Sequence, residues 1–448
     1  MPHNAFKLRA TLLSAPFKFR TKKILSIALP AGLNSLFDII NVIIGIFFMG
    51  QLSQFHIIAV GLGLNFFMML FAITNIFFVG TNAQISRLFG KGDFAGLNEV
   101  LSSMFFGVLI LSIPIFLLAN LLYEPYFRWI GTDLVSQNLG AIFTSIIIAS
   151  IPAVLLRTVI IAGFNAIGDA KTPFYIKVFT TALNVSLNFV LIFTFQLDIA
   201  GIAIANLVAS YAEFIILLAL LARKKSPLKL CYKMDLQIFK KGLIIGVPIG
   251  IERAFTIISL MLISKFVASY GSEHLAGLQI GSRIEFVAIM PSFGFVVASM
   301  ALTGQFLGAR KPDMVRKFIY TTIILASVFM GIMGLFMAVF GGFLSGFFSD
   351  KSEVINSSAL YLLCVGLSQI PLVFIFVFDG AFRGAGATKI SLFLNTISIW
   401  IARILPMWIC LALKLPLTAI YVIILVETFL RGFAFFYIFR KYFHRIFV

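Results

Sequence analysis

The sequence predicts an all-α integral membrane protein of about twelve transmembrane helices, arranged as two pseudo-symmetric six-helix lobes. Three observations predict it. First, the 448-residue chain is 60% hydrophobic and 12% charged, with a mean hydropathy of +1.06, more apolar surface than a soluble domain of this size hides. Second, apolar stretches of roughly 20 residues recur along it, the length of helix that crosses a bilayer core. Third, the halves match each other at a constant offset of 218. Pro30 in IALPAGL pairs with Pro248 in IGVPIGI, and His56 in HIIAVGLG with His274 in HLAGLQIG. Gly90 in LFGKGD pairs with Gly308 in FLGARKPD, and Gly168 in IGDAKT with Gly386 in AGATKI. Backbone groups in lipid must pair internally, so the stretches are helices. They are too long and continuous for the strands of an outer-membrane barrel.

The first stretch, 25–49, contains Pro30 and a polar stripe of Asn34, Asp38 and Asn41. Stretches 57–80, 100–122 and 138–161 follow. The fifth, 174–196, carries Asn184 and Asn188 one turn apart, and 200–222 completes the amino-terminal lobe. The seventh, 243–267, contains Pro248, Glu252 and Arg253; the eighth, 275–303, contains Arg283, Glu285 and Pro291. Next come 318–345 and 357–379, the latter ending on Asp379. Stretch 389–412 carries Trp400, Arg403 and Pro406, and 417–439 carries Glu427. The expected organisation is an N-terminal tail (1–23), a first lobe (24–222), a basic linker (223–241), a second lobe (242–440) and a C-terminal tail (441–448). The tail 1–23 lacks a short apolar core with a small-residue cleavage site, so no cleaved signal peptide is expected.

The formal charge of +18 is an orientation signal. With the gaps between stretches numbered alternately, the outer gaps hold only Arg128, Lys351 and Lys414 of 35 basic residues. Arg253, Lys265, Arg283, Arg403 and Arg431 fall within or at the ends of helices. All others, from Lys7 and Arg9 through Arg157, Lys177, Lys224, Lys225 and Arg383 to Arg445, fall in inner gaps or tails. This bias predicts both termini in the cytoplasm and removes the reason to expect nucleic-acid binding. An even helix number per half makes the repeats parallel. The linker's affinity for anionic lipid is incidental. Cys231, Cys364 and Cys410 have no metal or disulfide spacing, and no Walker-type phosphate loop is present. No cofactor and no dedicated metal site are expected, and the chain is read as a monomer.

Charge inside a bilayer is costly, so each case needs a reason. Asn34, Asp38 and Asn41 share one helix face by their spacing of four and three. They read either as a proton, sodium or cation site, or as a hydrogen bond between helices. Glu252 follows Pro248, which frees a carbonyl and bends the helix; a proton carrier and an ion pair are the alternatives. Glu285, before Pro291, either lines a cavity or pairs with a base. Asp379 is either a site acid or a helix-end charge. Glu213 and Glu427 are expected to be structural, and Arg403 to balance a buried carboxylate. Asn184 and Asn188 suit a polar pocket or interhelical glue. Some of the 52 phenylalanines offer faces for flat cations.

The motifs resemble the multidrug and toxic compound extrusion (MATE) family over almost the whole chain. The densest match is LAGLQIGSRIEFVAIMPSFGFVVASMALTGQFLGARKPDMV, from Leu275 to Val315. IALPAGL, GFNAIGDAKTP, LNVSLNFVLIF, GVPIGIERAF, GAFRGAGATK and WIARILP support it. The resemblance implies twelve helices in a V-shaped pair of lobes. It implies antiport, a lipophilic and often cationic compound leaving as protons or sodium ions enter, with sodium an alternative occupant of the same acids. It points to Asn184 and Asn188, where members often carry Asn and Asp, so an acid is missing at Asn188. Members also often carry an aspartate five residues before the glycine matching Gly50; here that position is Gly45. Asp38, two turns deeper, is read as its replacement. Both departures move weight to Glu252 and Glu285.

A carboxylate in a low-dielectric cavity exchanges protons near physiological pH. A cationic drug and a proton then compete for one negative charge, and alternating access of the lobes makes the exchange vectorial. Small-molecule cargo and membrane lipid are therefore the expected partners. The rival reading is a lipid-linked precursor or metabolite flippase of the wider superfamily, which needs a strongly basic cavity. Acids within the helices are at least as numerous as bases, which favours cationic cargo. A membrane enzyme would need a nucleophile–base pair or metal cluster, and the four histidines (His3, His56, His274, His444) supply none.

Overall fold

The computed structural model describes residues 16–50, 54–130, 134–223 and 226–447. His3, Lys7, Arg9, Lys224 and Lys225 lie outside the described residues. Described secondary structure is helical throughout: α1 (Phe17–Gly50), α2 (Gln54–Lys91), α3 (Phe94–Ile130), α4 (Leu134–Ile148), α5 (Ile151–Ala166), α6 (Lys171–Phe189) and α7 (Asp198–Ala222). Then come α8 (Leu236–Ala268), α9 (Ser272–Ile289), α10 (Phe293–Gly308), α11 (Pro312–Gly346), α12 (Ser352–Leu367) and α13 (Gln369–Gly384). The chain ends with α14 (Thr388–Ile397), α15 (Leu405–Ala412), α16 (Leu417–Lys441) and α17 (Phe443–Phe447). π-helical turns extend α6 (Val190–Thr194) and join α14 to α15 (Ser398–Ile404).

Among the described residues, nine continuous helical rods are long and apolar enough to cross a membrane. The count is eleven when α4 with α5, bent by 48°, and α12 with α13, bent by 54°, each form one span. With α1, every one of the twelve apolar stretches lies in a rod of its own. The rods overrun the stretches: α2 continues to Lys91 and α3 starts at Phe94, because hydropathy marks the lipid-facing part of a helix and not its capped ends. Three expectations are corrected here. Arg157 lies inside α5, Lys177 inside α6, and Arg383 inside α13, not in cytoplasmic gaps; their carboxylate partners on other turns and helices are what permit them to be there.

The 218-residue repeat extends to the backbone. Left-handed conformations occur at Gly92 and Arg310 (φ 80° and 56°), at Gly168 and Gly386 (88° and 78°), and at Gln196 and Lys414 (52° and 54°). Each pair is 218 apart. A non-glycine residue pays a steric penalty there, so Arg310, Gln196 and Lys414 mark turns that the architecture requires.

Contacts divide the chain into two compact units, and the divisions fall inside helices. One unit is Leu33–Gly250; the other joins the described residues up to Gly32 with Ile251–Val448. The breaks, like Gly32 and Gly250 themselves, are 218 apart, two residues beyond Pro30 and Pro248. Within the first unit, the start of α8 presses on α2: a Cβ added to Gly246 would collide with the Ile76 carbonyl oxygen. Within the second, the start of α1 presses on α10: a Cβ at Gly294 would collide with the Ala28 carbonyl oxygen. Ala28 and Ile76 are the repeat equivalents of Gly246 and Gly294, so one close-packed contact is built twice from small residues, as membrane helices require.

The core of the Leu33–Gly250 unit centres on Ile85, Leu101, Leu155, Ile160 and Leu217. That of the other unit centres on Val267, Leu362, Met407, Ile420 and Tyr421. The basic segment expected to be a linker to residue 241 is shorter, since α8 begins at Leu236. It is fastened to α3: the Lys229, Cys231 and Asp235 N–H groups donate to Asn98, Ser102 and Ser103 at 2.8, 2.7 and 2.9 Å. The Asp235 carboxylate accepts from the Gln237 N–H at 2.7 Å, capping the first turn of α8.

Candidate functional site

Each unit holds its own buried polar cluster. In the Leu33–Gly250 unit, α6 supplies one polar face from Lys177, Thr181, Asn184 and Asn188, at most 5% exposed and spaced four, three and four apart. Lys177 Nζ lies 2.5 Å from Asp38 Oδ1 on α1 and 3.6 Å from Glu213 Oε2 on α7. Glu213 is also paired with Arg157 of α5. Asn41 Nδ2 donates to Thr181 Oγ1 at 3.2 Å. Asn188 Nδ2 donates to Asn184 Oδ1 at 2.9 Å, and Asn184 Nδ2 to Asn206 Oδ1 at 3.4 Å. The oxygens of Asn34, Asn41 and Asn188 are buried without a hydrogen-bond donor from the described residues. The stripe on α1 and the asparagine pair on α6 thus belong to one amide-rich surface. The side chain of Asp38 is 57% exposed, the open end of an otherwise buried network. Gly45, where the resemblance expects an acid, is buried, and an added Cβ there would meet nothing within 4 Å among the described residues.

In the other unit, Glu252 of α8 is 6% exposed, Asp379 of α13 5%, Arg383 6% and Asn395 of α14 5%. Glu252 Oε1 accepts from Arg383 at 3.3 Å and from Asn395 Nδ2 at 3.0 Å. Arg383 also lies 2.5 Å from Asp379 Oδ2, one turn earlier on α13. Asp379 is therefore inside the cluster and is not a helix-end charge. Glu252 Oε2, Asp379 Oδ1 and Asn395 Oδ1 are buried and receive no hydrogen bond from the described residues. Buried acceptors are normally satisfied, so three oxygens of one cluster with spare lone pairs suit a proton, a small cation or water. Arg253, adjacent to Glu252 in sequence, points elsewhere, its guanidinium 5.9 Å from the Phe293 ring centre.

Two further acids stand apart. Glu285 of α9 accepts from the Tyr361 hydroxyl of α12 at 2.5 Å. Glu427 of α16 is fully buried; it pairs with Arg403 and, at 3.1 Å, with Arg431, and accepts from Ser398 Oγ at 2.6 Å. Arg403 thus balances a carboxylate from the next rod. Pro248 lies within continuous α8, one turn before Glu252. Pro291 sits in a tight 3₁₀ turn, Met290–Ser292, between α9 and α10.

Sequence reasoning missed Arg157, Lys177, Arg383, Asn395, Asn206 and Tyr361. One signal was available. Asn395 is 218 beyond Lys177, and a polar position held through both copies of an apolar repeat marks an inward face. Among the described residues, no group of three or more His, Cys, Asp or Glu is placed to hold a metal ion.

A family described as MatE matches this chain twice, over residues 30–190 and 248–409; both matches begin on the repeat prolines. Among curated proteins, the chain is 23% identical over 404 residues to the probable multidrug resistance protein NorM of Thermotoga maritima, covering 86% of this chain and 84% of that one. It is 25% identical over 394 residues to the multidrug export protein MepA of Staphylococcus saprophyticus, covering 84% and 85%. Among solved structures, it superposes at a TM-score of 0.90 and 19% identity on an outward-facing multidrug resistance MATE family transporter of the MOP superfamily, covering 97% of this chain and 98% of that one. The same score, identity and coverage hold for a MOP superfamily transporter from Pyrococcus furiosus described as having a binding pocket of reverse polarity that suggests a different function.

Proposed function

The chain belongs to the MatE family, and from that premise we propose that it is a secondary active antiporter of the plasma membrane. It exports lipophilic, often cationic compounds in exchange for protons or sodium ions, by alternating access of its two repeats, with both termini in the cytoplasm. The relatives named for multidrug resistance and export support the cargo class.

The observation that carries the reading is Glu252. It is a buried carboxylate with one oxygen held by Arg383 and Asn395 and the other without a donor, facing a second acid in Asp379. Burying an acid in an apolar span is costly unless it is used or paired. Glu427 is paired throughout, whereas Glu252 keeps one oxygen for a ligand. Taking up a proton or cation there changes the local charge by one, which is the requirement for coupling: the ion must bind two conformations unequally. Asp38, the exposed acid of the other cluster, is the second coupling candidate, beside Asn34, Asn41, Asn184 and Asn188. Glu285 is a third acid within the spans.

The flippase alternative needs a strongly basic cavity. Arg157, Lys177, Arg383, Arg403 and Arg431 each stand against a carboxylate, and Arg253 lies singly against the Phe293 ring, which is less than the strongly basic cavity a pyrophosphate needs. The test is efflux of a cationic dye from proteoliposomes, with an imposed proton gradient or sodium gradient applied separately. Efflux driven by one gradient supports antiport and names the ion. Absence of gradient-driven efflux for a panel of dyes would overturn it.

A further inference from the structure

The amino-lobe cluster contains four charges: Asp38 from α1, Arg157 from α5, Lys177 from α6 and Glu213 from α7. Ionised together they sum to zero. Lys177 is the hub. Its side chain is 6% exposed, and its ammonium lies between two carboxylates, 2.5 Å from Asp38 and 3.6 Å from Glu213. Glu213 is doubly held, by Lys177 and Arg157, and its side chain is 4% exposed. Asp38 has Lys177 as its ion-pair partner and is 57% exposed, so it is the member of the cluster that an ion or cargo reaches.

We propose that Lys177 is the built-in counter-cation of this site. Its ammonium occupies the place beside Asp38 and Glu213 that a coupling metal cation would take, so the amino-lobe site is loaded by a proton on Asp38 and not by sodium. The inference rests on the antiport reading and assigns the ion at one of its two clusters. The physical argument is exclusion. A sodium ion bound between these carboxylates would sit against a buried ammonium that carries the same charge and is anchored to the backbone, and like charges in a poorly screened interior repel strongly. A proton needs no such space. It neutralises Asp38 in place and leaves the cluster with a net charge of +1. The freed positive field of Lys177 then acts against an organic cation at the open face of Asp38, so proton and cationic cargo exclude one another through Lys177. In the second repeat the equivalent of Lys177 is Asn395, an amide that donates to Glu252. The lysine counter-cation is therefore specific to the Asp38 cluster; beside Glu252 and Asp379 the buried cation is Arg383.

The experiment compares thermal unfolding midpoints of the purified full-length protein in sodium chloride and in choline chloride of equal ionic strength. All proteins carry Glu252→Gln, so that the other cluster does not contribute. The parent is expected to show no sodium-dependent shift beyond that of Asp38→Asn. Lys177→Gln leaves two carboxylates and one arginine, and is expected to gain a shift of roughly 2 °C at sodium about ten times its dissociation constant. Adding Asp38→Asn to Lys177→Gln abolishes the gain. A sodium shift in the parent that Asp38→Asn removes overturns the proposal, as does a folded Lys177→Gln that gains none. Should Lys177→Gln fail to fold, the parent against Asp38→Asn still decides: an Asp38-dependent effect of pH without one of sodium supports it, and any Asp38-dependent effect of sodium overturns it. These midpoints require no transport, so failure of the antiport reading registers separately, as absence of gradient-driven efflux.

Discussion

Lys177 and Asn395 stand 218 residues apart and make the same contact in their own repeats: each reaches the acid on the first helix of its lobe. Lys177 Nζ lies 2.5 Å from Asp38 Oδ1, and Asn395 Nδ2 lies 3.0 Å from Glu252 Oε1. The acids are offset by one helical turn from strict repeat equivalence, since Asp38 matches Thr256 and Glu252 matches Asn34. The duplication has thus kept the meeting of the first and fifth rods while changing its charge. One lobe pairs an exposed acid with a buried ammonium. The other holds a buried acid with an amide and brings in Arg383 and Asp379 from α13.

Glu252→Gln is expected to separate transport from stability. The amide is isosteric and its oxygen still accepts from Arg383 and Asn395, so the midpoint of thermal unfolding should move by no more than the equivalent of about 1 kcal/mol. Gradient-driven dye efflux should fall by an order of magnitude or more, because the titrating group is gone. Equal loss of both would assign Glu252 to the scaffold.

Glu427→Ala is expected to do the reverse. Glu427 is fully buried and neutralises Arg403 and Arg431. Truncating it leaves two buried guanidinium groups without their carboxylate, a loss typically of about 3–5 kcal/mol. The variant should show low yield and a lowered midpoint in detergent, whereas Glu427→Gln, whose one amide oxygen can still accept from Arg403 while its NH2 donates to Ser398 Oγ, should be milder. A Glu427→Ala protein with an unchanged midpoint would remove this cluster from the stability argument.

The contrast between Glu252 and Glu427 shows where sequence reading ends. Composition and spacing located the twelve rods and the repeat, because a bilayer enforces length and apolarity on every span. The stripe Asn34, Asp38, Asn41 was legible, since helical periodicity alone puts those residues on one face. Lys177, Arg157 and Arg383 were not. A single base within two turns of a helix end, or in its last turn as Arg383 is, reads as a loop residue in a hydropathy profile, and what makes it an interior group is a carboxylate on another turn or helix, such as Asp38, Glu213 or Glu252. Asp379 failed for the same reason: its position at the edge of an apolar stretch said nothing of Arg383 one turn later. The exchange of the first halves of α1 and α8 between the units was also invisible, because packing chooses which neighbour a small-residue face meets.

Cys231 tests the orientation inferred from charge. It is exposed, whereas Cys364 is buried and Cys410 half-buried, and it lies in the basic segment fastened to α3. With Cys364 and Cys410 changed to serine, a membrane-impermeant maleimide should label Cys231 in inverted vesicles and not in intact cells. Labelling of intact cells would reverse the topology.

The two close-packed contacts at Gly246 and Gly294 should respond alike. A methyl group at either meets a carbonyl oxygen, of Ile76 or of Ala28, which is backbone and has no rotamer to yield. Gly246→Ala and Gly294→Ala are each expected to cost about 1–3 kcal/mol through overpacking, read as a lowered midpoint. At Gly45, by contrast, a Cβ meets nothing within 4 Å among the described residues, and Gly45→Ala should leave the midpoint unchanged or raise it, as glycine in a helix is replaced by a better helix former.

The lack of a described neighbour at the Gly45 Cβ position makes the role of Asp38 testable by transplantation. If Asp38 serves as the amino-lobe acid two turns deeper than the position the family resemblance indicates, moving the acid up the same face should restore part of its function. Asp38→Asn is expected to lower proton-driven dye efflux by an order of magnitude or more. Adding Gly45→Asp to that variant introduces a carboxylate on nearly the same face of α1, but about 10 Å further along the axis at 1.5 Å per residue. Lys177, which meets Asp38, is too far to pair with the new acid at that height. The double variant is therefore expected to regain efflux while losing the Lys177 partnership, so that sodium as well as protons drives it. Recovery with protons alone would place ion choice in the carboxylate's surroundings at residue 45 and not in Lys177; no recovery at all would confine the coupling role to the depth of Asp38.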